Sequence, residues 1–72
     1  MPDRLDTSAL KIIEIMGVST KNYEDALEHA VAKASESIKG ITKVELIDQT
    51  ASVRDGKIVR YEVRVKLWFV VH

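Results

Sequence analysis

The segment Lys57–Val71 constrains the fold more than any other part of the chain, because it is fifteen residues long and alternates polar and apolar residues from Arg60 to Leu67. Such alternation predicts a β-strand, and at about 3.3 Å per residue it would extend over roughly 50 Å. Tyr23–Lys39 has helical periodicity and at about 1.5 Å per residue would cover roughly 25 Å. One such helix cannot shield so long a strand. The strand must therefore bend strongly or be covered by another chain.

The two sides of this strand differ in character. By alternation, one side is apolar and the other carries three charged residues followed by Trp68, Val70 and His72. The apolar side carries Tyr61, Val63, Val65, Leu67, Phe69 and Val71, and the other carries Glu62, Arg64, Lys66, Trp68, Val70 and His72.

Apolar periodicity also predicts the first strand and the helix. Leu10–Met16 has apolar residues on both alternation faces, which predicts a strand buried on both sides and ended by Gly17 and the polar run Ser19–Asn22. The helix predicted over Tyr23–Lys39 has Asn22 as its N-cap and Gly40 as its C′ residue.

A hairpin joins the last two predicted strands. Thr42–Val53 predicts the second strand, and the turn signal Arg54-Asp55-Gly56 makes it an antiparallel neighbour of the third. The sequence therefore predicts an α+β fold of the form β-α-β-β, with a three-stranded antiparallel sheet in the order 1-3-2 wrapped on one helix. We expect residues 1–8 to be a disordered lead-in and residues 9–72 to form one domain.

The small size of the chain bears on how it is stabilised. A chain of 72 residues builds a small core, and there is no cysteine to provide a disulfide or a thiolate metal site. His29 and His72 do not have metal-ligand spacing, so no metal site is predicted. Self-association is the stabilising device that remains.

Charge and hydropathy exclude several classes of partner. Eleven basic and eleven acidic residues give a net charge of zero, which argues against a general nucleic-acid or anionic-membrane binder. No apolar run approaches the roughly 18 residues that cross a bilayer, and Met1–Ser8 lacks the apolar stretch of a signal peptide. We expect a cytoplasmic protein. No nucleophile–base constellation or glycine-rich phosphate loop is present, so an enzyme is not predicted.

Several segments, in the order and spacing in which they occur, resemble the dodecins. Leu10–Ser19 resembles their first strand and glycine turn, Asn22–Ala26 their helix start, and Ala30–Ile38 their small-residue helix face. Val44–Leu46 with Asp48-Gln49, then Tyr61–Val63 and the terminal alternating strand, complete the likeness. The resemblance implies βαββ chains that assemble into a hollow homododecamer. It also implies storage or sequestration of a small ligand, riboflavin or FMN in many members and coenzyme A or calcium in some.

The resemblance also implies where a ligand would bind. Flavin-binding members resemble one another in a tryptophan at the position of Lys43 and a glutamine at the position of Glu62. The candidate ligand-binding residues are Lys43, Glu45, Glu62 and Arg64, which should share one sheet face with Lys66. They either hold a different, charged ligand or form ion pairs that close the pocket, Lys43 with Glu62 and Glu45 with Arg64 or Lys66. Without the stacking ring and the amide, tight flavin binding is not expected.

Three further residues stand out, and two of them have two interpretations each. Trp68 shares this face and is either a substitute stacking surface or an interface filler. Glu14 is either a carboxylate with a raised pKa or a partner of a basic residue across the sheet or across subunits. His29 is interpreted as a solvated helix residue. The resulting hypotheses are a ligand-storing dodecin-like assembly, a similar shell that binds an ion or an anionic cofactor, and a structural assembly without a ligand.

Overall fold

The computed structural model describes residues 9–71, which form one helix and three strands. Strand β1 spans Ala9–Ser19, helix α1 Tyr23–Ser35, strand β2 Ile41–Arg54 and strand β3 Lys57–Val71. The order β-α-β-β confirms the predicted fold class. The predictions for residues 1–8 and for His72 lie outside the described residues.

The central strand is β3, and both neighbours run antiparallel to it in the order β1-β3-β2. The β2–β3 hairpin turns at Asp55 and Gly56, which both have positive φ angles of 52° and 77°. Two consecutive positive φ angles define the turn whose twist matches a right-handed hairpin, so the predicted turn is confirmed. The sheet order of the described residues is the predicted one.

The core lies between α1 and one face of the sheet. It consists of Ala26 and Ala30 from the helix and Val63, Val65 and Leu67 from β3. Half-buried side chains from β1, α1 and the start of β2 pack around it, namely Ile13, Ile15, Tyr23, Leu27, Val31, Ala34 and Ile41. The apolar side of β3 that alternation predicted is therefore the side that α1 covers.

Gly17 lies where α1 approaches β1 most closely. A Cβ atom at this position would lie 2.8 Å from Cβ of Ala30 and would collide with the carbonyl oxygen of Ala26. Gly17 and the polar run Ser19–Asn22 were predicted to end the first strand, and β1 includes Gly17 and ends at Ser19, where that run begins. The glycine provides the space that lets the helix lie against the sheet.

The helix is shorter than the sequence pattern predicted. It ends at Ser35. The backbone N–H of Glu36 then donates to the carbonyl oxygen of Lys33, and the N–H of Ile38 donates to that of Ala34, so the chain turns once more before β2. The predicted end at Lys39 is therefore wrong. Gly40 does adopt a positive φ of 82°, but it serves the turn into β2 and does not cap the helix.

The prediction that β1 is buried on both sides is wrong for the single chain. We call the sheet face turned away from α1 the open face. On it Leu10, Ile12, Met16 and Val18 remain 41%, 45%, 51% and 42% exposed. The reason is that α1 is the only layer of the described chain stacked on the sheet, so one side of β1 has no cover.

The helix also leaves β2 and the hairpin end uncovered. Val44 and Leu46 on β2 are exposed, as are Val53 and Ile58 near the turn. The described chain measures 56 × 20 × 16 Å, so the hairpin extends far beyond a helix of thirteen residues, about 20 Å long. The predicted overhang of the long strand is present.

Candidate ligand-binding site

The four predicted site residues lie on the open face but are spread along it. The strand register places Lys43 opposite Trp68 and Glu45 opposite Lys66. Arg64 lies opposite Asp48, and Glu62 lies opposite Thr50. The shared face that alternation predicted is therefore present, whereas a single compact cluster is not.

Lys43 contacts Trp68 rather than a carboxylate. Its Nζ atom lies 4.2 Å from the centroid of the indole ring, which is cation–π geometry. The hydroxyl of Thr42 donates to the carbonyl oxygen of Trp68 at 3.4 Å and ties the same part of β2 to β3. On the other side of Trp68, Ile12 is the register partner on β1. One face of the ring is therefore occupied by the lysine of its own chain.

The indole Nε1 of Trp68 is buried and has no hydrogen-bond partner within residues 9–71. A buried N–H group without an acceptor costs free energy, about 1–3 kcal/mol in proteins. Trp68 thus combines a ring covered by Lys43 with a donor that the described chain leaves without an acceptor.

Glu62 is at the centre of a polar network near the hairpin. Its Oε1 accepts from Thr50 Oγ1 at 2.9 Å, and its Oε2 accepts from Ser52 Oγ at 2.7 Å and from Arg60 Nη2 at 2.7 Å and Nε at 2.9 Å. The Glu62 side chain is only 12% exposed. The Ser52 hydroxyl first, then Arg60 and Thr50, lower the pKa of Glu62 below its ordinary value, because they bond the charged form.

The predicted ion pair between Lys43 and Glu62 is wrong. Lys43 lies opposite Trp68, six positions along β3 from Glu62, which is about 20 Å at strand spacing. Alternation fixes the face on which a side chain lies but not its position along the strand. The prediction that Glu45 pairs with Arg64 or Lys66 agrees better with the structure, since Lys66 is the register partner of Glu45.

Arg64 bridges the two outer strands across the open face. Its Nε lies 3.8 Å from Oε2 of Glu14 on β1, and its Nη1 lies 4.0 Å from Oδ2 of Asp48 on β2. All three side chains are about half exposed, so each pair is loose and contributes at most about 1 kcal/mol. The interpretation of Glu14 as a partner of a basic residue across the sheet is confirmed.

The sequence interpretation missed Asp48, Thr50, Ser52 and Arg60. Counting back from the Asp55-Gly56 turn places Gln49 opposite Glu62, whereas the structure places Thr50 there. The difference arises from the irregularity between Ser52, which pairs with Arg60, and Val53, which pairs with Ile58, because β3 has one extra residue, Val59, at this point. Each extra residue moves the following side chains by one position. The turn could have indicated the neighbourhood of Glu62, but not which residues bond it.

His29 was predicted to be a solvated helix residue, but its ring also contacts Val18 and Asp25. Its Nδ1 lies 3.0 Å from the carbonyl oxygen of Val18, and since a carbonyl can only accept, Nδ1 donates. Its Nε2 lies 3.5 Å from Oδ2 of Asp25, which also accepts from Ser19 Oγ at 2.6 Å. The Ser19 hydroxyl therefore bonds the carboxylate and not the imidazole, so this is not a nucleophile–base pair. The network ties the end of β1 to the start of α1.

The surface carries shallow clefts rather than one deep pocket. A cleft of about 230 Å³ lies between β1 and α1, with Gly17 and Ala30 at its floor and His29 and Lys33 beside it. Another, of about 400 Å³, lies at the hairpin between Ser52, Arg54 and Arg60. Within residues 9–71, no three His, Cys, Asp or Glu side chains are grouped so that they could hold a metal ion. No helix in the described part of the chain is long and apolar enough to cross a membrane.

These features define a class of protein, the small βαββ domain with one covered sheet face, one bare face and outer strands that have no further strand beside them in the described part of the chain. The sequence model of the Dodecin family matches residues 9–72, and the chain belongs to this family. The calcium dodecin of Mycobacterium tuberculosis is 29% identical over 62 residues, which cover 86% of this chain and 87% of that protein.

Solved structures agree with this assignment. Dodecin from Streptomyces coelicolor superposes with a TM-score of 0.88 at 23% identity, over 90% of this chain and 93% of that one. The crystal structure of the Mycobacterium tuberculosis calcium dodecin, described as calcium chelating with a novel calcium-binding site, gives a TM-score of 0.81 at 32% identity. It also covers 90% of this chain and 93% of that one.

The flavin that the family resemblance implies does not fit the residues at these positions. Stacking needs a free aromatic face, but Lys43 is not aromatic and lies over Trp68. Recognition of a flavin edge needs free hydrogen-bonding groups, but both oxygens of Glu62 already accept from its own chain. A carboxylate also cannot donate as the amide of a glutamine does.

Proposed function

We propose that this chain is a subunit of a hollow homododecamer that sequesters a small ligand other than a flavin. The observation that carries the assembly is the apolar surface that the chain leaves uncovered on both outer strands. The domain that assembles is residues 9–72, and its role is binding and storage rather than catalysis.

The exposed apolar side chains support the assembly. Leu10, Ile12, Met16 and Val18 on β1 are each more than two-fifths exposed, and Val44 and Leu46 on β2 add a second patch. Monomeric proteins seldom leave contiguous apolar patches of this kind in contact with water. Both β1 and β2 are also sheet edges, with unpaired backbone groups that favour contact with another chain.

The charges of the open face favour a charged ligand over a flavin. Lys43, Glu45 and Arg64 present ammonium, carboxylate and guanidinium groups on one surface. A ligand there would be held by ionic contacts and not by ring stacking.

A cation such as calcium is a second candidate ligand. It is favoured by the 29% identity to a protein named for calcium and by the exposed carboxylates Glu14, Glu45 and Asp48 on the open face. Calcium takes six to eight oxygen ligands. Because the described residues of one chain do not gather three such side chains, this site would need carboxylates from several subunits.

Size-exclusion chromatography with light scattering tests the assembly. Twelve subunits of 8.1 kDa give about 97 kDa, a size that closed cubic-type symmetry allows. A mass near 97 kDa is expected. A monomer or a dimer would overturn the proposal.

Fluorescence quenching of riboflavin and FMN tests the ligand. Wild-type protein should leave the emission unchanged at micromolar concentrations, whereas Lys43→Trp combined with Glu62→Gln should quench it. The matched control Lys21→Trp adds a tryptophan to the loop before α1 and should not quench. Strong quenching by the wild type would contradict the exclusion of flavins, and equilibrium dialysis with radioactive calcium separates the second candidate from an assembly without a ligand.

A further inference from the structure

We propose that the cleft between β1 and α1 binds a small amphipathic carboxylate, a ligand with an apolar body and one negative charge. We call this site the β1–α1 cleft. It is lined by residues 15–18 of β1 and by His29, Ala30 and Lys33 of α1. The cleft lies where the helix meets the free edge of the sheet, so this site is separate from the ligand site proposed on the open face.

The floor and walls of the β1–α1 cleft are mainly apolar. Gly17 and Ala30 are buried and form its floor, and Ile15, Met16 and Val18 line its sides. The volume of about 230 Å³ is below the roughly 300–1,000 Å³ of pockets for drug-sized molecules. The cleft therefore suits a short alkyl chain or a single ring.

The direction of α1 brings a basic side chain to the cleft. Ser19 bonds Asp25, and the preceding residue Val18 bonds His29, so α1 runs back along β1. Lys33 follows His29 by one helical turn, about 6 Å, which matches a step of two residues, about 7 Å, back along β1. Lys33 thus lies along the same cleft as the free edge of residues 16–18.

The charge at the rim favours an anion. Nζ of Lys33 lies 3.8 Å from Oε2 of Glu36, and these two side chains are 80% and 67% exposed. Such a pair is weak, and the ammonium group keeps donors for another carboxylate. None of the residues that line the cleft in the described chain is acidic. A negatively charged ligand is therefore attracted and a positively charged one is repelled.

The free edge of β1 adds a backbone donor. The carbonyl oxygen of Val18 accepts from Nδ1 of His29 at 3.0 Å and so points away from β3. In a strand the N–H and C=O of one residue point to the same side, so the N–H of Val18 points away from β3 as well. No strand of the described chain lies beside it. His29 covers the carbonyl that would repel a carboxylate and leaves the N–H to donate.

These groups together define one binding mode. The carboxylate accepts from the N–H of Val18 and pairs with Nζ of Lys33, while the apolar body of the ligand lies on Gly17 and Ala30. An uncharged ligand of the same shape lacks the ionic contact, and a cationic one meets Lys33 with the same charge.

Calorimetric titration with octanoate tests the site, with octanol and octylammonium as probes of the same chain length. Octanoate should bind the full-length protein saturably, with one molecule per chain. Octanol and octylammonium should each bind at least about fivefold more weakly, since an exposed ionic contact changes affinity by that order.

Three variants with exposed side chains test the role of Lys33. Lys33→Glu reverses the charge at the rim and should weaken octanoate binding at least tenfold. Glu36→Gln removes the carboxylate beside Lys33 and should strengthen binding about twofold to threefold, a gain that misfolding does not produce. Lys57→Glu makes the same charge change as Lys33→Glu, but at the hairpin, and should leave binding unchanged. Far-UV circular dichroism checks that each variant folds.

Nuclear magnetic resonance shows where octanoate binds. In transverse-relaxation-optimised spectra of the full-length protein, the amide signal of Val18 should shift on addition of octanoate. The signal of Leu46, whose apolar side chain is exposed on β2, should not. In Lys33→Glu the Val18 signal should stay in place at the same concentration.

Several results would overturn this proposal. They are no saturable binding of octanoate, equal binding of octanoate and octanol, and no loss of affinity in Lys33→Glu or no gain in Glu36→Gln. A shift of Leu46 in place of Val18 would also overturn it, because octanoate would then lie outside the cleft. None of these results bears on the assembly, which light scattering of the wild type tests by itself.

Discussion

Gly17 is the residue at which the packing of helix against sheet is tightest. The absence of a Cβ atom lets the backbone of α1 at Ala26 come into contact with β1. The contact involves a carbonyl group of a hydrogen-bonded helix, which cannot move aside as the end of a long side chain can. One missing methyl group therefore sets the distance between the two layers.

We expect Gly17→Ala to destabilise the fold by about 1–3 kcal/mol, the usual cost of overpacking a core. Chemical denaturation measures the change, with Lys11→Ala as the control on the same strand. Lys11 is exposed, so its substitution should change the free energy of unfolding by no more than about 0.5 kcal/mol. An unchanged stability of Gly17→Ala would contradict the close approach of the Ala26 backbone to Gly17.

Glu62 gives stability a dependence on pH whose sign can be worked out. Its pKa is lowered from the ordinary 4.5 in the folded chain, chiefly by the Ser52 hydroxyl, so folding favours the ionised form. The stabilisation is complete above the ordinary pKa and is lost as the pH falls through the lower, folded value. Asp25 behaves in the same way, because the Ser19 hydroxyl lowers its pKa below the ordinary 3.8.

Glu62→Gln should therefore be less stable than the wild type at pH 7, and the difference should shrink as the pH falls below 4.5. Urea denaturation over a pH series measures this, and the contribution of Asp25 cancels because both proteins contain it. Ser52→Ala, which removes the largest cause of the shift, should weaken the same pH dependence. A difference that stays constant down to pH 3 would contradict the role assigned to the network.

For single residues, the sequence predicted the sheet face on which a side chain lies but not the residue beside it on the neighbouring strand. Alternation along a strand placed Lys43, Glu45, Glu62 and Arg64 correctly on one face, since side chains repeat every second residue. It did not identify Trp68 as the partner of Lys43, although counting residues back from the Asp55-Gly56 turn gives this pair, because the register shifts on the two strands cancel at this position. A bulge leaves little trace in composition, and so the polar partners of Glu62 were not foreseen.

Helix α1 shows how one element is fixed at its start more firmly than at its end. Asn22 has an extended backbone, and its Oδ1 accepts from the N–H of Asp25 at 2.7 Å. Glu24 and Asp25 add negative charge in the first turn, where the helix dipole favours it. The end of the helix has no comparable signal, and Ser35 and Ser37 are residues that favour turns. The start was therefore predicted correctly and the end was placed four residues too late.

Asn22→Ala should destabilise the protein by about 1 kcal/mol, because the N–H of Asp25 loses its acceptor. Asn22→Asp is the matched control and should be nearly neutral, since aspartate caps helices as well as asparagine does. Thermal unfolding followed by circular dichroism at 222 nm measures both. Equal losses in the two variants would mean that the cap contributes nothing.

At the scale of the whole molecule, the chain leaves apolar surface that it cannot cover. The length argument from Lys57–Val71 foresaw this overhang, because lengths of strands and helices follow directly from residue counts. The location of the bare surface on β1 was not foreseen. Its two-sided apolar pattern indicates two layers but does not say that the second layer belongs to another chain.

If assembly supplies the missing cover, thermal stability should depend on protein concentration. A hundredfold dilution should lower the midpoint of unfolding by several degrees, because association stabilises the folded subunit by mass action. Scanning calorimetry or fluorescence at matched scan rates measures the shift. A midpoint independent of concentration over that range would indicate that the single chain is stable without partners.

Trp68 is the only tryptophan in the chain, and the ammonium group of Lys43 lies 4.2 Å from its ring centre. Indole emission responds to nearby charge and to the polarity of its surroundings. Its register partner on β1 is Ile12, whose side chain is 45% exposed on the open face. The protein therefore contains an intrinsic optical probe on the open face, and stopped-flow mixing could follow the proposed assembly in real time without any attached dye.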